Sequence, residues 1–250
     1  MRHRILAVAI ALCVSTTVHA QNQRVVVPAG FWVTGDNSWS RIQAAGPMVQ
    51  IVSPQFDTFN VGVTDFNAAR SQFDANRSVG QLVLGYVDTS NGNRNPGDVD
   101  NDIALWYANY STNYSTHIDG IFFDQGPDMT VNAGNQTYYA NLNSRLKLAH
   151  PSAKEMLNAA GFGSTDPWVM SVTDYVTLWE APYVDPTNSG KASYRDRYVA
   201  TSPDLLSAPP PAWWDSYGSR VTHIVFNAQS RTISPSGEAF GNEPNASGEL

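Results

Sequence analysis

Cysteine is nearly absent from this chain of 250 residues, because Cys13 is the only one and it lies close to the N-terminus. A disulfide framework and a cysteine-rich zinc site are therefore excluded. Histidine is also scarce: beyond residue 20 only His117, His150 and His223 remain, and their spacing is not that of metal ligands. Phosphate-binding and dinucleotide-binding glycine motifs are missing as well. We therefore expect neither a metal site nor a cofactor.

Long hydrophobic segments are lacking too. The apolar run Ile5–Val14 is too short to span a bilayer comfortably, and no later segment approaches the required length. Because Arg2 and Arg4 precede this run and Val18-His-Ala20 ends in small residues, residues 1–20 are predicted to be a secretory signal peptide. The sequence thus predicts a secreted protein without stable membrane insertion. A retained N-terminal anchor is the alternative.

Basic residues are few, with 15 Lys and Arg against 22 Asp and Glu. Loss of Arg2 and Arg4 with the signal peptide leaves 13 basic residues against 22 acidic ones, a net charge of −9. This balance argues against nucleic acid as a partner and suits a neutral or cationic ligand, although solubility alone also explains it. Residues 21–250 are enough for one core, so a single domain is predicted. Nothing in the sequence indicates an oligomeric state.

Apolar runs alternate with amphipathic stretches along the chain. Seven runs have the length and composition of buried strands, at residues 24–28, 48–53, 82–87, 118–124, 155–158, 175–180 and 221–227. Helical spacing occurs at residues 63–77, 98–110 and 136–148. This alternation predicts an α/β fold, a (β/α)8 TIM-type barrel. No eighth strand is evident, because residues 234–250 are rich in Gly, Pro, Asn and Ser. Either the chain stops short of a full barrel or the last strand is poorly patterned.

Two carboxylates end predicted strands. Asp124 follows the apolar residues 118–123, and Glu180 ends the run 175–180. In parallel α/β folds the carboxyl ends of the strands carry the active site. Two carboxyl groups at one such end are what glycoside hydrolysis requires, one as acid and the other as nucleophile or base. The alternative is that these acids cap the following helices or pair with a nearby arginine.

Aromatic and polar side chains near strand ends are candidates for sugar binding. Flat aromatic faces suit sugar rings, and four aromatic residues lie near predicted strand ends: Trp32, Tyr86, Trp179 and Tyr183. Tyr86 and Asp88 share one face of their strand by the two-residue period, and Arg94 lies on the loop beyond. We expect these residues to line the cleft between Asp124 and Glu180. The alternative is that the aromatic residues belong to the core.

The order of several motifs resembles that of spherulation-specific family 4 (spherulin-4-like) proteins. These motifs are Val27-Pro28, Ile51-Val-Ser-Pro54, Val83-Leu-Gly-Tyr-Val-Asp-Thr89 with Arg94, and Gly120-Ile-Phe-Phe-Asp124. The resemblance covers about residues 24–181. It implies a (β/α) barrel related to secreted glycoside hydrolases, whose characterised relatives act as endo-α-1,4-N-acetylgalactosaminidases on galactosamine-containing polysaccharides. It also implies catalytic roles for Asp124, in the family's Phe-Phe-Asp-Glu motif, and for Glu180.

The chain departs from that pattern at Gln125, where the family usually has glutamate. An amide is neither a proton donor like a carboxylic acid nor a carboxylate base. If position 125 is catalytic in the family, this chain is impaired; if Asp124 and Glu180 are the working pair, Gln125 could still bind substrate. Two hypotheses follow. The protein is a glycoside hydrolase acting on an amino-sugar polymer, or it is a non-catalytic carbohydrate-binding or cell-wall structural protein on the same barrel.

Overall fold

A computed structural model of the chain describes residues 24–30, 33, 37–55, 63–112, 115–126, 133–159, 168–182, 217 and 219–226. Its main sheet contains the parallel strands β1 (Arg24–Ala29), β2 (Val49–Pro54), β3 (Leu82–Asp88), β6 (Gly120–Asp124), β7 (Lys154–Asn158), β8 (Tyr175–Pro182) and β9 (Val221–Phe226). Each strand pairs with the next in this order, and β9 pairs with β1 to close a barrel. A small antiparallel pair, β4 (Ser111–Thr112) and β5 (Ser115–Thr116), precedes β6.

Helices alternate with these strands. They are α1 (Ser38–Ala44), α2 (Val63–Ser78), α3 (Pro96–Asn109), α4 (Ala133–Ala149) and α5 (Val169–Val172). The predicted class, an α/β barrel of the TIM type, is therefore confirmed, with seven barrel strands among the described residues and no eighth. Within the same ranges, no helix is long and apolar enough to cross a bilayer.

Among the described residues, the buried apolar side chains of the barrel interior come from six strands, one from each. This interior cluster consists of Val26, Ile51, Leu84, Phe122, Met156 and Ile224. Neighbouring strand residues such as Val83 and Phe123 belong instead to the larger layer between the strands and the helices. Because strand side chains alternate between faces, Tyr86 and Asp124 share the interior face with Leu84 and Phe122, one step nearer the carboxyl ends. Tyr86 and Asp124 therefore lie next to the interior cluster, toward the carboxyl-terminal rim of the barrel.

Helix α3 packs closely on the strand that carries Tyr86. A Cβ added at Gly85 would lie 2.4 Å from Cδ2 of Trp106, so only glycine lets the indole ring approach β3. The indole Nε1 of Trp106 then donates a hydrogen bond of 2.7 Å to the carbonyl oxygen of Tyr86. The backbone of Tyr86 is therefore fixed from the helix side while its side chain faces the interior.

A polar cluster lies at the amino-terminal side of β7 and β8. Glu155 is only 1% exposed, and its backbone N–H donates to Oδ2 of Asp174 over 3.0 Å. The same oxygen accepts from Nζ of Lys147 at 2.6 Å. Burial raises the pKa of the Glu155 carboxyl well above its ordinary value, against the opposing effect of the Lys147 charge. This carboxyl is thus stabilised in its neutral form.

The raised pKa of Glu155 predicts a pH-dependent cost to folding. Above the pKa that the Glu155 carboxyl has in the unfolded chain, the folded protein keeps a proton that the unfolded chain has released. The free energy of unfolding therefore falls as the pH rises toward the pKa of this carboxyl in the folded protein, by up to about 1.4 kcal/mol per pH unit. Glu155→Gln should remove this slope and be more stable than wild type at pH 8. Urea unfolding from pH 4 to pH 8 measures it. The control Asp98→Asn, at an exposed carboxylate of α3, should keep the wild-type slope, and an unchanged slope in Glu155→Gln would contradict the prediction.

Candidate active site

Asp124 is the last residue of β6, and its half-buried carboxylate accepts hydrogen bonds from both neighbouring strands. Oδ2 accepts from the phenol Oη of Tyr86 on β3 at 3.0 Å. Oδ1 accepts from the amide Nδ2 of Asn158 on β7 at 2.7 Å. The structure thus brings together two predicted site residues, Asp124 and Tyr86, with a third that the sequence did not single out.

The chain turns sharply directly after Asp124. Gln125 has a φ of 49°, in the left-handed region that costs a non-glycine residue conformational energy, and its side chain is exposed. Gly126 follows and donates from its N–H to the carbonyl of Asn158 at 2.8 Å. A Cβ at Gly126 would lie 2.4 Å from that carbonyl oxygen, so the turn requires glycine there. Strand β6 has therefore ended at Asp124, and Gln125 no longer follows its alternation of faces.

Thr89, after β3, fastens this turn from the other side. Its N–H and its Oγ1 both donate to the carbonyl oxygen of Asp124, at 3.0 and 2.8 Å. The same hydroxyl lies 3.0 Å from the carbonyl of Gln125 and 2.7 Å from the phenol of the buried Tyr139 on α4. Burial raises the pKa of Tyr139, which keeps its phenol protonated in this network. The peptide that carries Asp124 is thus fixed on both flanks.

Backbone strain is concentrated at this end of the barrel. Among the described residues, the non-glycine residues with positive φ are Ser90, Asn91 and Gln125. The two loops are joined, because Asn91 donates from its N–H to the carbonyl of Gln125 at 2.6 Å. Such strained positions cluster at functional sites when the surrounding structure holds them. The residues with positive φ therefore lie at the same end of the barrel as the Asp124 carboxylate.

Asp88 and Arg94 have local partners on the loop after β3. Asp88 is level with Asp124 in the sheet, but its Oδ1 accepts from the N–H of Ser90 at 2.6 Å and so caps the next turn. Arg94 donates to the carbonyl of Asp88 at 3.0 Å and pairs with Asp102 of α3 at 2.6 Å. Both residues thus stabilise the loop that follows β3 at the rim of the barrel. Their contact with substrate stays a prediction.

The backbone of Glu180 lies in the second half of β8. Trp179 and Glu180 pair with His223 and Ile224 of β9, and Glu180 is two residues from the end of its strand. The carboxyl ends of parallel strands share one end of a barrel, so the backbones of Asp124 and Glu180 belong to the same end. The side chains of Trp179 and Glu180 lie outside what the structure describes. Trp32 and Tyr183 fall outside the described residues altogether.

Sequence reasoning missed Asn158 and Thr89. A signal for Asn158 was present, because it is a polar residue that ends a buried strand, as Asp124 does. Its side chain is 5% exposed, so its amide is held within the protein and not at the solvent surface. In the described part of the chain no cluster of His, Cys, Asp and Glu is arranged to hold a metal ion.

The arrangement suits a carboxylate more than a carboxylic acid. Both oxygens of Asp124 accept hydrogen bonds, from the Tyr86 phenol and the Asn158 amide, and neither contact requires Asp124 to donate. A carboxylate held in this way can act as a nucleophile, as a base or as an electrostatic stabiliser of positive charge. A partner acid must then supply any proton that the reaction needs.

The structure defines a parallel α/β barrel that holds a carboxylate at the carboxyl end of a strand, which is the end where barrels of this class carry their active sites. The family model of spherulation-specific family 4 matches residues 24–234, so the chain belongs to this family. The family resemblance of the sequence is thereby confirmed. A search of curated proteins found no match.

Comparison with solved structures finds similar chains at low sequence identity. Sph3 of Aspergillus clavatus, in complex with GalNAc, has a TM-score of 0.54 and 17% identity, over 85% of this chain and 92% of Sph3. The glycoside hydrolase domain of PelA from Pseudomonas aeruginosa gives a TM-score of 0.36 and 11% identity, over 61% of this chain and 66% of that domain. The endo-β-1,4-mannanase of Thermotoga petrophila gives 0.44 and 9%, over 68% of this chain and 56% of the mannanase. At 17% identity the likeness to Sph3 shows the fold alone.

Proposed function

We propose that the protein is a secreted glycoside hydrolase that cleaves a galactosamine-containing polysaccharide. The observation that carries the proposal is the carboxylate of Asp124, fixed at the rim of a spherulation-family barrel by hydrogen bonds from Tyr86 and Asn158. The similar fold of Sph3, which was solved with GalNAc, supports an amino sugar as the ligand. The predicted signal peptide at residues 1–20 supports secretion.

In the proposed mechanism the two carboxyl groups have different roles. Asp124, which accepts hydrogen bonds from Tyr86 and Asn158, serves either as the nucleophile that attacks the anomeric carbon or as the base that takes a proton from the attacking water. Glu180 serves as the acid that protonates the leaving oxygen. If the carboxyl groups are about 5–5.5 Å apart the reaction retains configuration, and a gap of about 6.5–9.5 Å leaves room for a water molecule and inverts it.

Substrate binding is assigned to the residues around this pair. In the proposal, Trp32, Trp179 and Tyr183 offer aromatic faces to sugar rings, while Asp88 and Arg94 border the cleft. The acidic balance of the chain, 22 Asp and Glu against 15 Lys and Arg, favours a polymer that carries ammonium groups. A partly deacetylated galactosamine polymer is therefore the substrate to test first.

The decisive experiment measures cleavage and binding side by side. The purified protein is incubated with galactosamine-rich polysaccharide, and new reducing ends are counted over time while binding is measured on the same polymer. Reducing ends that increase with time and enzyme concentration support the hydrolase. Binding without new reducing ends would contradict it and support a carbohydrate-binding protein.

Gln125 is the observation that favours this second candidate, a non-catalytic carbohydrate-binding or cell-wall structural protein. It occupies the position of the family's usual glutamate, and its exposed side chain follows Asp124 directly. A barrel that had lost a required carboxyl group would keep its cleft and its affinity for polymer while losing turnover. The two candidates therefore differ in the chemistry of position 125.

Gln125→Glu separates these possibilities. If Asp124 and Glu180 are the working pair, the change should alter kcat by less than about threefold, because residue 125 then supplies no proton. Gln125→Ala is the matched control, which removes the amide and should raise KM if that amide binds polymer. Reducing-end kinetics measure both variants. A gain of about tenfold or more in Gln125→Glu would instead make residue 125 part of the chemistry and the natural protein a weakened enzyme.

A further inference from the structure

The amide of Asn158 makes a direct contact with the proposed catalytic carboxylate. Its Nδ2 lies 2.7 Å from Oδ1 of Asp124, and its side chain is 5% exposed. The two residues are 34 positions apart in sequence and meet because β6 and β7 are adjacent and parallel, with Phe123 level with Leu157. Continued by one residue, this register places Asp124 beside Asn158, at the carboxyl ends of both strands.

Asn158 also holds the backbone beyond Asp124. Its carbonyl accepts the hydrogen bond of Gly126 at 2.8 Å, and Gly126 approaches that carbonyl so closely that no Cβ would fit. One residue thus fixes both the carboxylate and the turn that leads away from it. The amide contact sets the rotation of the Asp124 side chain, and the carbonyl contact sets the course of the chain.

From this geometry we infer that Asn158 is a positioning residue, which orients the Asp124 carboxylate toward the sugar. Tyr86 binds the other oxygen, Oδ2, so two donors fix the plane of the carboxylate from opposite neighbouring strands. A carboxylate with one donor fewer can rotate, and misplacement of a reacting group slows chemistry more than it weakens substrate binding. Replacement of Asn158 should accordingly lower kcat with little change in KM.

The inference rests on the proposed function for its kinetic part only. In Asn158→Asp a second carboxyl group would stand about 2.7 Å from Oδ1 of Asp124, and two carboxylates so close share one proton. The pair should therefore titrate in two separate steps, the second of them moved to higher pH by the charge that the first leaves, and the Asp124 signal reports this without any substrate. Among the described side chains, the other titratable or charged groups at this rim are Tyr86 of β3, Asp88, which is level with Asp124 and capped onto Ser90, Arg94, which donates to the Asp88 carbonyl, and Tyr139 of α4, which contacts Thr89. Glu180 is the partner acid of the proposed function.

The test combines kinetics with carbon NMR of the Asp124 carboxyl, assigned by its disappearance in Asp124→Asn. Asn158→Ala should lower kcat about tenfold to a hundredfold, the scale of a lost hydrogen bond to a charged group. Asn158→Asp should raise the acidic limb of the pH–rate profile and the titration of the Asp124 signal by about one pH unit or more. Asn76→Asp is the matched control, because Asn76 is a buried asparagine of helix α2 whose amide donates to Oε1 of Gln81; this change should lower the melting temperature alone.

Each result decides a different point. Unchanged kcat in Asn158→Ala, with an unchanged titration of Asp124 in Asn158→Asp, overturns the positioning role even if the wild type is an active hydrolase. If the wild type cleaves no polymer, the proposed function fails, while a shifted Asp124 signal in Asn158→Asp still supports the contact. If Asn158→Ala fails to fold, the isosteric Asn158→Asp decides alone.

Discussion

Asp124→Asn should lower the rate of polysaccharide cleavage at least about a hundredfold, the usual scale for a lost acid–base group, and Glu180→Gln should do the same. An amide at position 124 keeps the shape of the side chain but removes the negative charge that stabilises the oxocarbenium-like transition state. Reducing-end release from galactosamine-rich polymer measures the effect on kcat.

The fold of Asp124→Asn should survive. Asp124 lies at the rim and is half-buried, and an asparagine in its place can still accept from Asn158 while its own amide donates to the Tyr86 oxygen. The melting temperature should therefore stay within a few degrees of wild type. Asp98→Asn, the same change at the exposed start of α3, serves as the control and should keep full activity. Asp124→Asn or Glu180→Gln with more than a tenth of the wild-type rate would refute the pair.

Phe122→Ala should cost about 3–5 kcal/mol of stability, the range for truncating a buried phenylalanine. Phe122 is fully buried in the interior cluster, and its ring centroid lies 6.2 Å from that of Tyr86. Because the cluster supports the residues above it, the alanine cavity should also let Tyr86 sink away from Asp124. The folded fraction should then lose activity in addition to the loss of stability.

Urea unfolding measures this loss, and two controls define its cause. Phe122→Leu keeps most of the volume and should cost less than about 1.5 kcal/mol. Leu148→Ala removes an aliphatic side chain that is 85% exposed on α4 and should stay within about 0.5 kcal/mol of wild type. If Phe122→Ala loses less than about 1 kcal/mol, the barrel interior does not depend on this ring.

The strands could be predicted because a parallel barrel buries them on both faces and leaves continuous apolar runs. All seven predicted runs are strands in the structure, and Asp124 stood out because it ends one of them. Helices α1 and α5 and the pair β4–β5 were missed, since elements of two to seven residues leave no clear periodicity.

The partners of Asp124 could not be predicted from the sequence. Asn158 reaches Asp124 only through the register of two strands, and register depends on the whole barrel. The carboxyl of Asp88 caps Ser90 because the loop after β3 adopts left-handed conformations at Ser90 and Asn91, which those residue types do not require. Composition indicates which strand ends are polar, and the three-dimensional register decides which of them meet.

The hydroxyl of Thr89 has a consequence for how this barrel can be recombined. Through it, the exit of β6, the loop after β3 and Tyr139 of α4 form one hydrogen-bonded unit. A chimera that imports the loop after β3 without a hydroxyl residue at position 89 would lose three hydrogen bonds at once and leave the peptide of Asp124 held on the β3 side by backbone hydrogen bonds alone. In protein engineering or in evolution, an exchange of the loop after β3 therefore has to include the exit of β6 and the contact with Tyr139 of α4.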